Sequence, residues 1–354
     1  MTDYRLPENR RETFLKFYEF HLKYRSHPGA VYYLIPYLRQ TYNWSTDQTL
    51  WFTFLNGNTQ NPTTSLIILK NFPDPKNLEG LDNWFNTNFE RLKFDHDRRY
   101  QKKDFLKSVE WFVQVKENGG HQKFWEDLSA QGFTSVWKAA KNIPSFGRLS
   151  TFSFLEYQRV AGLPVDCDTL FLRDVGGSKS HRNGLCKLLG HDELDWHSSN
   201  PSFNGKYHQA TLDWLEKEGE TLISEAKHRF KGRDFERDVT YFTLESTLCT
   251  FKSWFRPNRR YPNVYNDMLY LRIKENEKLW PEQDFSVFWE ARQLVLPKNL
   301  RLEDNPYDPG LSKLKQNWFR EHGEVIMMDK DFPEFANSFN YSVDNGLLPL
   351  RKNK

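Results

Sequence analysis

Apolar side chains recur at three- and four-residue spacing along most of this chain, the period of a helix that buries one face. The first clear instance runs from Arg11 to Tyr24, where Phe14, Phe17, Tyr18 and Leu22 share a side, and His27-Pro28-Gly29 ends it. The same spacing predicts helices over 47–56, 62–71, 81–92, 104–116 and 122–129, parted by Asn56-Gly57-Asn58, Pro73-Asp74-Pro75 and Asn118-Gly119-Gly120. Downstream it predicts helices over 149–160, 182–189, 207–230, 235–254, 262–279 and 284–293, and the chain beyond Pro297 is loop-rich. Strand-like alternation is rare. The expected fold class is therefore mainly α, a compact multi-helix protein. A composition shift around 116–121 divides an N-terminal helical region (1–118) from a second region (119–296), followed by a C-terminal segment (297–354), and a single domain fits as well. No internal repeat points to a solenoid.

Composition narrows the class further. Of 354 residues, 38% are hydrophobic and 16% aromatic, with ordinary amounts of Gly and Pro, which excludes intrinsic disorder and low-complexity chains. Fifty Lys and Arg against 47 Asp and Glu leave a formal charge of +3, too balanced to prove a nucleic-acid partner, so any basic surface must be local. The three cysteines, Cys167, Cys186 and Cys249, form no CxxC pair and suggest a reducing compartment. The polar start and the absence of a stretch near the ~20 apolar residues of a bilayer span fit a soluble, intracellular protein.

Three stretches carry candidate chemistry. In DVGGSKSHRNG (174–184), Gly176 and Gly177 let backbone amides turn toward an anion, Ser178 and Ser180 offer hydroxyls, and Lys179 and Arg182 offer charge at a helix start near His181. A capped, solvated turn is the plain alternative, and no Walker loop is present. In NIPSFGRLSTFSFLE (142–156) a Pro/Gly turn runs into an amphipathic helix, resembling a helix-hairpin-helix whose glycine amides meet a DNA phosphate beside Arg148, with Ser150 as a cap. Glu156, flanked by apolar residues, is either a raised-pKa base or a satisfied structural carboxylate. In ESTLCTFKSWFRPNRRYP (245–262), Glu245, Cys249 and Lys252 fall on one helical face, and Arg259, Arg260 and Tyr261 suit phosphate and base contacts.

Basic runs at 98–103 and 227–233 suit a nucleic-acid backbone or a solvated surface. His191, His197 and His208 near Cys186 match no standard zinc spacing. GxSxG, HExxH and GxGxxG are absent, which weakens hydrolase, zincin and dinucleotide-enzyme readings.

The segments FGRLSTFSFLEYQ, DVGGSKSHRNGL, ESTLCTFK and RRYPNVYNDM, in that order, resemble the phage alpha-glutamyl/putrescinyl thymine pyrophosphorylases, also called amino acid:DNA transferases. The upstream LWFTFLNGNTQNPTTSLIILKNFP is similar to that family's early helices. The resemblance implies an all-helical fold like the helix-hairpin-helix DNA glycosylases. It also implies a reaction in which pyrophosphate on 5-pyrophosphoryloxymethyl-deoxyuridine, in double-stranded phage DNA, is replaced by the amine of an amino acid or polyamine. An upstream 5-hydroxymethyluracil DNA kinase and the cytoplasm of an infected bacterium belong to the same picture.

On that chemistry, Ser178, Lys179, Ser180 and Arg182 hold the pyrophosphate, with Lys252 and Arg260 completing its neutralisation. His181 or Asp174 serves as base toward the amine, Glu156 and Glu245 are reserve bases or ammonium ligands, and Arg148, Arg259 and Tyr261 engage the DNA backbone or a flipped base. No cofactor is indicated, no metal ligands are assigned, and a divalent metal stays open. A thiolate adduct through one of the three cysteines is the minority route. The rival functions are a helix-hairpin-helix glycosylase and a non-catalytic DNA-binding phage protein.

Overall fold

A computed structural model describes residues 7–25, 30–96, 98–172, 179–194, 209–252 and 268–295. Every regular element among the described residues is helical, in agreement with the mainly-α expectation. The first helices are α1 (Pro7–Lys23), α2 (Val31–Thr41), α3 (Thr46–Thr59), α4 (Pro62–Asn71), α5 (Leu81–Thr87) and α6 (Arg98–Gln101). Next come α7 (Phe105–Glu117), α8 (His121–Ser129), α9 (Phe133–Lys141) and α10 (Arg148–Val160). The remainder are α11 (Lys179–Leu188), α12 (Gln209–Arg229), α13 (Tyr241–Phe251), α14 (Met268–Leu279) and α15 (Ser286–Val295).

Departures from the predicted elements have local causes. The triplet Asn56-Gly57-Asn58 lies inside α3, because Gly57 is a packing glycine: a Cβ there would stand 3.1 Å from Phe154. The break comes at Gln60, in the left-handed region, and at Asn61, whose side chain caps α4 ahead of Pro62. The helix predicted over 81–92 stops at Thr87, where the Asn88 side chain takes the Trp84 carbonyl at 2.9 Å. The one predicted over 235–254 is interrupted at Thr240, an extended residue that forms a reciprocal capping box with Thr243 and starts α13. Helices α2, α6 and α9 lie outside the predicted set; α2 carries Pro36 in its interior. Ser150 is a buried residue within α10 rather than its cap, which is Gly147.

The chain divides into two compact units. In the first, α1, α11, α12 and α13 enclose a core that includes Phe14, Phe17, Leu185, Leu215, Leu222 and Leu248. Phe14, Phe17 and Tyr18 are fully buried on α1, as their spacing predicts. Helices α11 and α13 meet backbone to side: a Cβ on Gly184 would lie 2.1 Å from the Leu248 carbonyl oxygen. Only glycine permits that approach.

The second unit holds α2 to α10 with α14 and α15. Its centre is aromatic: Trp51, Phe54, Phe112, Trp125 and Phe154 are at most 2% exposed, and Phe54 stands 4.6 Å from Phe112 between ring centroids. Helices α3 and α4 are buried on nearly every face, so their polar residues sit inside. Arg98, from a run that suits a nucleic-acid groove, is 0% exposed; it donates through Nε to the Asn58 carbonyl at 2.9 Å and through a terminal nitrogen to the Ser145 carbonyl at 2.5 Å. Its charge is spent on backbone carbonyls because those carbonyls are buried and need donors.

Two stability predictions follow from this packing. Gly184→Ala should cost about 3 kcal/mol or more, since rigid backbone must move, whereas Gly219→Ala, which meets only the end of Leu170 at 2.6 Å, should cost about 1 kcal/mol. Denaturant melts of both variants check the difference. His121, stacked on Phe112 at 3.6 Å and bonded through Nε2 to its carbonyl at 2.7 Å, is held neutral by burial, its pKa lowered from 6.5 to about 4. The neutral form favours folding, so this contribution is complete above pH 6.5 and is lost as pH falls through 4, by up to about 3 kcal/mol. Thermal melts from pH 7 to 4 should show that slope, and His121→Gln should flatten it.

Candidate active site

The facing sides of α11 and α13 concentrate the chemistry of the first unit. Gly184 sits one turn past Ser180 and His181 on α11, so the close approach that its missing Cβ allows brings those two side chains onto α13. On α13 the four- and three-residue spacing of Glu245, Cys249 and Lys252 aligns them along one face, as their spacing predicts. The faces interlock residue by residue. His181 Nδ1 stands 2.9 Å from Glu245 Oε1, and Lys252, which caps the C-terminus of α13, donates from Nζ to the Ser180 hydroxyl.

The imidazole is oriented from its other side. His181 Nε2 lies 2.8 Å from the Leu170 carbonyl oxygen, and a carbonyl can only accept, so Nε2 carries the proton. Nδ1 therefore faces the Glu245 carboxyl group, and because two acceptors at this distance attract only through a shared hydrogen, the pair is arranged to hold one proton between Nδ1 and Oε1. His181 is 0% exposed, Glu245 7% and Lys252 6%, so the imidazole–carboxylate and ammonium–hydroxyl pairs act in a low-dielectric setting, where charge–charge effects are strong. Arg182, also fully buried, donates to the Leu172 carbonyl at 3.3 Å and anchors the strand-free segment that supplies Leu170. Lys179 opens α11 and is half-buried.

Cys249 is the residue of this face that spacing pointed to and chemistry left open. One ligand atom each from His181, Glu245 and Cys249 lies within 4.8 Å of the others, a nitrogen, oxygen and sulfur set of the kind that holds a divalent ion such as zinc. A ligating histidine usually gives its second N–H to a carbonyl, as His181 does. Cys186 is buried in the core and Cys167 is buried with its thiol 2.8 Å from the Thr169 carbonyl, so neither shares the face. His191 stacks edge-on against Trp214 at 5.1 Å.

The remaining candidates fall elsewhere. Glu156 and Arg148 belong to α10 in the second unit. Glu156 is 3% exposed and accepts a hydrogen bond from the Tyr32 hydroxyl at 2.7 Å; Arg148 is half-buried with its guanidinium 5.4 Å from the Phe152 ring. Next to Glu156, Tyr157 is pushed far above the usual phenol range, chiefly by burial and further by the Glu156 charge. Asp174, Ser178, Arg259, Arg260 and Tyr261, with His197 and His208, lie outside the described residues. A surface cavity of about 660 Å³ in the second unit, bordered by Asp47, Lys116 and His121, has its Lys116 ammonium paired with Asp47 at 2.6 Å and its His121 held neutral. It brings together no imidazole and carboxyl group as His181 and Glu245 are brought together.

A helical protein with a buried histidine–glutamate pair beside a lysine is defined more closely by comparison. The model of the amino acid:DNA transferase family matches residues 31–260, a span that takes in α2 to α13 and every pair described above. The chain belongs to that family and is a transferase that acts from amino acid to DNA. A relative named serinyltransferase, from Salmonella phage ViI, is 30% identical over 342 residues, covering 91% of this chain and 82% of the relative. No solved structure matches. Among the described residues no helix is long and apolar enough to cross a membrane.

Exchanging Glu245 for Gln keeps the volume but removes the carboxylate that faces His181 Nδ1. Glu245→Gln should leave the fold intact by circular dichroism and lower single-turnover transfer by about 10²–10⁴-fold, the usual weight of a positioned acid–base group.

Proposed function

We propose that this chain carries out DNA base hypermodification in an infected bacterium, replacing the pyrophosphate of 5-pyrophosphoryloxymethyl-deoxyuridine in phage DNA with the amine of an amino acid. The observation that carries the reading is the pairing of functions across α11 and α13: a base, His181 with Glu245, beside a cation and hydroxyl, Lys252 with Ser180. Displacement of pyrophosphate by an ammonium compound needs both. The incoming amine must shed a proton before its lone pair can attack, and the leaving group gathers negative charge as the carbon–oxygen bond breaks.

In this scheme the amine binds on the Glu245 side, and its proton passes to the His181–Glu245 pair. Lys252 and Ser180 meet the departing pyrophosphate, with Lys179, Arg182, Ser178 and Arg260 adding charge and hydrogen bonds. Asp174 is a further base. The bend from α9 through Gly147 into α10 serves as the DNA-facing hairpin of a glycosylase-like helix-hairpin-helix architecture, with exposed Gly147 amides, Arg148, Arg259 and Tyr261 on the backbone or the flipped base. The substrate comes from a 5-hydroxymethyluracil DNA kinase, and serine, the group in the relative's name, is the first amine to try.

Cys249 favours a second route to the same product. Beside His181, its thiolate adds to C6 of the uracil, the resulting enolate expels pyrophosphate from the 5-methylene carbon, the amine adds to the exocyclic methylene, and the thiolate leaves. Direct displacement expects Cys249→Ala to keep most of its activity; the adduct route expects loss comparable to that of Lys252→Met.

The test supplies kinase-treated hydroxymethyluracil DNA, this protein and serine, glycine, glutamate or putrescine, then weighs the nucleosides. Pyrophosphate release with a mass gain of one amine is the expected result, and Lys252→Met should slow it by about 10²–10³-fold. Abasic sites would mark a glycosylase instead, and binding without turnover a silent DNA-binding protein.

A further inference from the structure

The run from Thr53 to Ser65 is polar enough to belong on a surface, yet Thr53, Asn56, Thr59, Asn61, Thr63 and Thr64 are each at most 1% exposed. Burying hydroxyls and amides is costly unless each finds a partner. Many do. Asn61 Oδ1 accepts from the Thr63 hydroxyl at 2.6 Å and from the Thr64 N–H at 3.2 Å. Asn276 on α14 donates to Thr63 Oγ1 at 2.7 Å and to the Arg272 carbonyl at 3.1 Å. Thr59 and Ser65 share a hydroxyl bond of 2.7 Å, and Gln158 donates to Thr53 at 2.7 Å.

What remains in this network is mostly donor. Arg272 is 4% exposed and commits Nε to Asp95 at 2.5 Å, while both of its terminal nitrogens are buried with no hydrogen-bond partner. The Nδ2 atoms of Asn56 and Asn61 are in the same position. Four guanidinium N–H groups and two amide NH2 groups thus lack an acceptor in this polar core, against the unpartnered oxygens of Asn276 and Gln158 and the Thr64 hydroxyl. A buried guanidinium with its outward fork unmatched is among the costliest arrangements a fold can hold, and a group with two or more paired, negatively charged oxygens is its natural complement. Asp95, by holding the Nε edge, fixes the direction in which that fork points.

We propose that Arg272, with Asn56 and Asn61, forms a buried oxyanion site in the second unit, built for a carboxylate or a phosphoryl group. Both chemistries present coplanar or clustered oxygens to the fork, and the amide NH2 groups supply further donors. Assigning the carboxylate of the transferred amino acid rests on the reaction proposed above; the site itself does not.

Calorimetric titration of the full chain tests it with four probes: serine, ethanolamine as serine without its carboxylate, inorganic phosphate and pyrophosphate. Saturable binding of at least one oxyanion is expected, weakened about tenfold or more by Arg272→Met, the loss of one charge-assisted bidentate pair. Asn61→Asp guards against a misfolded variant. It keeps the oxygen that caps α4 while placing a negative charge where the anion would lie, so it should stay folded and lose the response. Serine binding without ethanolamine binding identifies a carboxylate site, and phosphate or pyrophosphate binding without serine binding a phosphoryl site. Absence of any oxyanion binding, or binding that both variants leave unchanged, overturns the proposal. Transfer activity that persists alongside such a null titration would remove this site and leave the proposed reaction standing.

Discussion

The approach of α11 to α13 at Gly184 is the constraint on which the first unit depends. With no side chain there, one helix rests against the Leu248 carbonyl of the other, and the residues a turn earlier on α11 are carried into contact with Glu245 and Lys252. Helix packing with ordinary side chains at the crossing keeps axes about 8–10 Å apart, and a glycine at the crossing lets the two backbones come closer than that. The chemistry is thus a product of packing. An imidazole–carboxyl pair and an ammonium–hydroxyl pair are placed on rigid helical faces rather than on loops, and their rotamers are held by burial.

Much of the fold was legible because its signal is periodic. The apolar stripe of α1 predicted the buried face of Phe14, Phe17 and Tyr18, and Asn118-Gly119-Gly120 separated α7 from α8, with both glycines in left-handed backbone. Where the signal failed, the competing physics can be named. Gly57 resembled a turn residue but is a contact glycine beneath Phe154, and α3 and α4 are so enclosed that no polar face marks them. Pro36 masked α2, since an interior proline ordinarily argues against a helix.

The site was legible in part. The spacing of Glu245, Cys249 and Lys252 set out a shared face without saying what it meets, because the partner helix lies more than 60 residues earlier in the chain and no local pattern records a tertiary contact. His181 and Ser180 were found through residue types suited to an anion, and the glycine that aligns them, Gly184, closed that same motif without revealing its role. The polar run in α3 and α4 was read only as a turn at Asn56-Gly57-Asn58 and as part of a family resemblance. Its significance lies in Arg272 and Asn276, which come some 200 residues later, so a reading confined to windows of sequence could not assemble it. Arg98 errs in the opposite sense: a basic run implied solvent, and burial turned its first member into a clamp on carbonyl oxygens.

The hydrogen bond from His181 to the Leu170 carbonyl has a further consequence. A main-chain oxygen is present whatever residue occupies position 170, so the tautomer of the imidazole is set by the path of the backbone and is immune to side-chain exchange there. Side chains at neighbouring positions can therefore be exchanged without altering which ring nitrogen the main chain engages.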